Sequence, residues 1–151
     1  MVKTKIYKNG LKLVVDKMDN YESVSFNMFV KVGSVCETEG YYGISHFIEH
    51  MLFKGTITRS SLDISKELDS IGANVNAYTS NEETVYYTKS TAENVEKCVE
   101  VLSDMLFNSV FDKNEMAREK KVVLEEIKMY QDDAPSKAEL LINQAFYLFL
   151  S

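Results

Sequence analysis

Ile44-Ser-His-Phe-Ile-Glu-His-Met-Leu-Phe53 reads as a helix, and the chain on either side of it is built differently. Before it come short β-prone runs. Residues 4–7 and 11–15 flank Lys8-Asn9-Gly10, where Asn-Gly supplies the positive φ angles of a tight hairpin turn. Residues 23–32 alternate, with Val24, Phe26, Met28, Val30 and Val32 on one face and Ser25, Asn27 and Lys31 on the other. That pattern predicts a half-buried strand. A Gly- and Glu-rich loop, residues 33–43, leads into the helix. After it, a second helix is expected over residues 62–71, capped by Ser60 or Ser61 and stopped by Gly72. Residues 74–79 and 84–89, rich in Val, Tyr and Thr, predict a hairpin. Helices follow over residues 94–107 and 113–130, the latter opened by an Asp112-x-x-Glu115 pattern resembling a capping box. A last helix follows Pro135, which suits a first helical position. Strands lead and helices gather later. The expected class is α+β, a mainly antiparallel sheet with helices on one face.

The 151 residues amount to one domain, residues 1–151, with 45% hydrophobic and 26% charged residues, as in ordinary globular chains. A single proline and six glycines argue against a linker-rich chain. A net charge of −6 disfavours a nucleic-acid binder, which needs a basic patch. No apolar run approaches the roughly 18 residues that cross a bilayer, so no membrane association is expected. The start lacks the apolar core of a secretory signal, and Cys36 and Cys98 form no CxxC pattern. These features predict a reducing cytoplasm, and the Lys-, Asn- and Tyr-rich composition suits a low-GC bacterium. The apolar stretch from Ala145 to Leu150 has no polar cap, which predicts a domain that is incomplete at this end.

The only two histidines are His46 and His50, with Glu49 between them. Two histidines four apart with a glutamate at this position arise by chance about once in a thousand such chains. At about 100° per residue, both imidazoles and Glu49 share a helical arc about 100° wide. Residues four apart lie about 5–6 Å apart at Cβ, so two imidazoles can converge on one cation. Neutral nitrogen ligands suit Zn2+, and a third protein ligand, expected to be a carboxylate, must come from elsewhere.

The helical wheel of residues 113–130 selects that carboxylate. With Glu119 at zero, Val122, Val123, Ile127, Met129 and Tyr130 fall within about 80° on either side, and Glu126 lands at about −20°. Glu125 lies outside this stripe, and Lys121 and Lys128 point away. Two carboxylates facing inward among Val and Ile each need a cation or strong donors. Glu126 is therefore the expected third ligand. Glu119 is expected to hold a ligand histidine by its other ring nitrogen.

His46-Phe-Ile-Glu-His50 is the inverted HxxEH zinc motif. Within Gly43-Ile-Ser-His-Phe-Ile-Glu-His-Met-Leu-Phe-Lys-Gly55 it resembles the pitrilysin-type peptidases, or inverzincins, and most of all their bacterial processing-peptidase-like members. Asn74-Val-Asn-Ala-Tyr-Thr79 and Glu119-Lys-Lys-Val-Val-Leu-Glu-Glu-Ile127 match as well, so the likeness covers nearly the whole chain. The resemblance implies that His46, His50 and Glu126 bind zinc, that Glu49 is the general base and that Glu119 supports the site. It implies that Asn76, Ala77 and Tyr78 lie on an exposed edge strand pairing with a peptide substrate. It also implies a second peptidase half or subunit closing over the substrate, while the apolar tail from Ala145 to Leu150 predicts a homodimer.

Two other readings stay open at this stage. A lyase that cleaves S-ribosylhomocysteine shares a similar HxxEH helix, but it needs a cysteine ligand and a catalytic cysteine. Cys98 lies beside Val95, Val99 and Leu102 and reads as a small buried residue. A non-catalytic subunit or fragment of the same peptidase group, binding peptides or a partner, is the other reading.

Overall fold

β5, Thr84–Thr91, is the strand around which the domain is built: it lies between β3, Ser23–Val30, and β4, Asn74–Thr79, in an antiparallel sheet of order β3-β5-β4. This computed structural model describes residues 1–148. Pairing places Met28, Tyr86 and Ala77 in one row and Phe26, Thr88 and Val75 in the next, all on the same face. Side chains alternate along a strand, so this face collects the apolar residues of β3 and β4. Helices α1 (Ile44–Leu52), α2 (Ser61–Ser70) and α3 (Val95–Asn108) cover it. Leu52, Ile64, Leu68, Tyr86, Cys98, Val101, Leu102 and Met105 form the core between these helices and the sheet. The class is α+β, with the helices on one face of an antiparallel sheet. On the open face Val85 lies between Phe29 and Tyr78, which remain 62% and 45% exposed.

The N-terminal hairpin stands apart as its own two-stranded sheet. Its strands β1 (Val2–Ile6) and β2 (Lys12–Asp16) are exposed throughout. Its turn is wider than the tight Asn-Gly turn expected. Ile6 pairs with Lys12, Tyr7 N–H donates to Leu11 O at 2.9 Å, and of Asn9 and Gly10 only Gly10 has a positive φ, 88°. A two-residue type I′ turn needs both. β3 also stops two residues early, because Val32 N–H turns back to Val30 O at 2.8 Å.

Helix ends follow local chemistry. Ser60 caps α2 in a reciprocal capping box with Asp63. Asp112 caps α4, Lys113–Asp132, by accepting from Asn114 N–H and Glu115 N–H. The expected reciprocal bond does not form there, since Glu115 pairs with Arg118 instead. Pro135 is the second residue of α5, Ala134–Leu148, rather than the first. Asp133 accepts from Ser136 N–H, and Pro135 still occupies a position whose N–H has no helical partner. Of the apolar C-terminal stretch, Phe149 and Leu150 lie outside the described residues.

The stripe expected on α4 is narrower than the wheel implied. Glu119 and Val123 are buried and Glu126 is half-buried, but Val122, Ile127, Met129 and Tyr130 are exposed. The cause is packing: among the described residues α4 rests chiefly on the helices α1 and α5.

Candidate metal centre

α1 begins where the backbone of the preceding loop is held on both sides. Gly33 sits against the β4–β5 turn, where a Cβ would fall 2.4 Å from Ser80 O, so only glycine fits. Ser34 N–H and Val35 N–H donate to Ser80 O and Asn81 O across this contact. Gly43, at the helix N-cap with φ 86°, has no side chain to cap the first turn. Glu37 does so from six residues upstream: its carboxylate accepts from Gly43 N–H at 2.7 Å and Ser45 N–H at 2.8 Å. A negative charge there also opposes the positive end of the helix dipole.

The next turn carries the two histidines, and α4 brings Glu126 to them. His46 Nε2 lies 3.1 Å from His50 Nε2, and Glu126 Oε2 lies 3.3 Å from His50 Nε2 and 3.8 Å from His46 Nε2. Among the described residues these three form the one group of candidate ligand atoms close enough to share an ion. The donor set can be tested against zinc directly. Bonds of about 2.0–2.1 Å at tetrahedral angles put ligand atoms about 3.4 Å apart, and the three observed separations bracket that value. Two imidazole nitrogens and a carboxylate are also the right chemical types. The residues fit the metal.

Glu119, buried one heptad before Glu126, accepts from His50 Nδ1 at 2.8 Å and pairs with Lys54 Nζ at 2.6 Å. Burial disfavours its charge, but the hydrogen bonds from Lys54 and His50 outweigh this and hold it below the ordinary carboxylate range. A carboxylate can only accept, so His50 carries its proton on Nδ1 and leaves the Nε2 lone pair facing Glu126 and His46. Tyr130 stands beside Glu126, and that charge pushes its phenol above the ordinary value, with burial adding to the effect.

Glu49 is buried between the histidines on the same helix. Thr79 Oγ1 donates to its Oε2 at 2.6 Å. Tyr86, beneath it, has its phenol pushed up by burial and by the Glu49 charge. Asn76, Ala77 and Tyr78 lie on β4, at the edge of the three-stranded sheet. Asn76 Oδ1 accepts from Ala77 N–H at 2.8 Å, so this donor is not engaged with β5.

Lys54, Thr79 and Glu37 escaped the sequence reading. Lys54 lies past the end of α1, beyond the C-cap Phe53, so helical spacing from His50 does not place it, and it meets Glu119 through the packing of α1 on α4. Thr79 and Glu37 act across tertiary contacts and left no local signal. Both cysteines are free thiols, Cys98 in the core and Cys36 exposed, and neither belongs to the metal cluster. No helix among the described residues is long and apolar enough to cross a membrane.

The chain is similar to proteins named as zinc proteases and processing peptidases. The chain is 44% identical over 147 residues to an uncharacterized zinc protease of Bacillus subtilis, YmxG, covering 97% of this chain and 36% of that protein. It is 42% identical to the mitochondrial-processing peptidase subunit beta of Saccharomyces cerevisiae, over 82% of this chain and 28% of the relative. A crystal structure of a Helicobacter pylori protease superposes with a TM-score of 0.79 at 30% identity, covering 83% of this chain and 30% of that one. The periplasmic protease PqqL of Escherichia coli superposes with a TM-score of 0.82 at 28% identity, over 92% of this chain and 16% of that one. The chain thus spans little more than a third, or less, of the length of these relatives. With the profile described as Insulinase (Peptidase family M16) matching residues 12–149, the chain belongs to the M16 metallopeptidase family.

Proposed function

We propose that this protein is a zinc metalloendopeptidase acting on peptides or unfolded segments. The observation that carries this reading is the convergence of His46 Nε2, His50 Nε2 and Glu126 Oε2, with Glu49 buried between the two histidines. Those three side chains would hold zinc, and Glu119 would support them by fixing the orientation of His50. When bound, zinc supplies Lewis acidity, bringing the pKa of water to about 7 and polarising a scissile carbonyl.

Glu49 is the general base in this reading. It takes a proton from the attacking water and passes it to the leaving amine, so peptide hydrolysis proceeds without a covalent intermediate. The free edge of β4 at Asn76, Ala77 and Tyr78 would pair with the substrate backbone, giving affinity through main-chain hydrogen bonds with little demand on sequence. Ala77 N–H is held by Asn76 Oδ1, so an incoming strand would displace that side chain and take its place. Phe29 and Tyr78 on the open sheet face are apolar surface suited to further protein: a second peptidase half, a partner subunit or a second copy.

Glu49→Gln tests the reading. The amide keeps the shape and cannot accept the proton, so zinc content should stay near one per chain while hydrolysis falls by about 10² to 10⁴. Parallel loss of zinc and activity would make Glu49 a ligand or a structural residue instead.

A further inference from the structure

We infer that Thr79 is a positioning residue for the general base, tying Glu49 to the strand that receives the substrate. The inference rests on the reading of Glu49 as that base. Thr79 ends β4 on the helix-facing side, in line with Val75 and Ala77, and is paired with Thr84 of β5. Its hydroxyl proton has one strong acceptor, Glu49 Oε2, at 2.6 Å. The neighbouring Thr84 hydroxyl lies 3.5 Å away and has its own proton committed to Val32 O at 2.8 Å. The direction of the bond is therefore fixed: Thr79 donates and the carboxylate accepts. The other carboxylate oxygen, Oε1, has no hydrogen-bond donor among the described residues and is the atom left for proton transfer.

The helix backbone fixes only where the Glu49 side chain starts. Three torsions separate its Cα from the carboxylate, while a β-branched threonine on a paired strand has few rotamers to choose from. Thr79 thus holds the far end of a flexible side chain from a rigid base. A base must stay within hydrogen-bond reach of the proton it takes, and displacement by about 1 Å can cost about 10²-fold in rate. A peptide paired with the β4 edge would be attached to the same strand, so one element sets both the substrate register and the position of the base.

The test compares Thr79→Val, Thr79→Ala, Thr79→Ser and Glu49→Gln in the zinc-loaded protein, using a peptide substrate. Thr79→Val and Thr79→Ala should lower kcat by about 10- to 100-fold, with KM within about twofold and zinc content unchanged. Thr79→Ser, which keeps the donor, should restore kcat to within a few-fold. Thr79→Val should add nothing in a Glu49→Gln background. In crystals of the zinc-free variants, the Glu49 carboxylate should leave its place with valine and keep it with serine. Valine and alanine variants with normal kcat beside an inactive Glu49→Gln would overturn the inference and leave the base intact. Loss of zinc or folding in both variants, unrescued by serine, would also overturn it, making Thr79 structural. A Glu49→Gln protein that still turns over peptide would overturn the base reading, and the inference with it.

Discussion

Replacing Glu119 with glutamine should weaken zinc binding by about 10- to 100-fold without abolishing it. The carboxylate receives two donors, His50 Nδ1–H at 2.8 Å and Lys54 Nζ at 2.6 Å, one on each oxygen. Glutamine has a single oxygen. If that oxygen turns to His50, the amide NH2 faces the Lys54 ammonium, donor against donor. If it turns to Lys54, His50 loses the acceptor that fixes its ring and its tautomer. The ammonium is the stronger donor and takes the oxygen, so the bond lost is the one that orients His50, worth about 1.5–3 kcal/mol. At 1.4 kcal/mol per decade this spans about one to two decades in Kd, the same range that loss of a supporting carboxylate costs other metal sites. Competition against a chromophoric chelator measures it. Glu125→Gln on the same helix is the control, since Glu125 is exposed and, among the described residues, pairs with Lys128. A zinc Kd within about twofold of the parent would refute the argument that His50 depends on Glu119. Loss of zinc as complete as in Glu126→Gln would instead make Glu119 a ligand.

Two further outcomes concern the scaffold. Asp104, nearly buried, accepts from Thr56, Thr58, Arg59 and Asn108, and despite burial its carboxyl is held well below the ordinary value. Asp104→Asn should therefore cost about 1.5–3 kcal/mol by weakening the charge-assisted hydrogen bond from Arg59, which keeps Glu67 and Glu100, read from denaturant unfolding at neutral pH. Because the folded pKa is depressed, this stability is present above the unfolded value of about 3.9 and is lost as pH falls below it. The parent and the variant should thus converge on acidification, and a gap that stays constant to low pH would contradict the pairing. Gly33→Ala should push the loop off the β4–β5 turn, because its Cβ would meet Ser80 O and Asn81 O at 2.4 and 2.5 Å. A loss of about 1–3 kcal/mol in thermal or denaturant unfolding is expected, and unchanged stability would show that the contact is loose.

Local chemistry was enough to read most elements and the outline of the site. Alternation gave β3, spacing of four put His46 and His50 on one face of α1, and a heptad put Glu119 and Glu126 on one face of α4. All of these are periodicities of a single segment, and a single segment displays them whether or not it is packed. The wheel failed where burial depends on neighbours: Val122, Ile127, Met129 and Tyr130 share the arc of the glutamates and yet stand exposed. The Asn-Gly turn failed similarly, because strand register, not the dipeptide, set the width of the hairpin.

The sequence by itself thus determined which side chains could act together within a helix, a strand or a motif. Only the tertiary structure decided what holds them still. Lys54 pinning Glu119, Thr79 holding Glu49, Glu37 capping the helix that carries the histidines and Gly33 seating the loop before it mostly join different elements. Such contacts depend on distances across the fold, between residues up to 65 positions apart in Lys54 and Glu119, and no repeat or spacing along the chain encodes them. They exist because α1 is packed between the sheet and α4, which brings a strand end, a loop and a second helix to one short stretch of backbone.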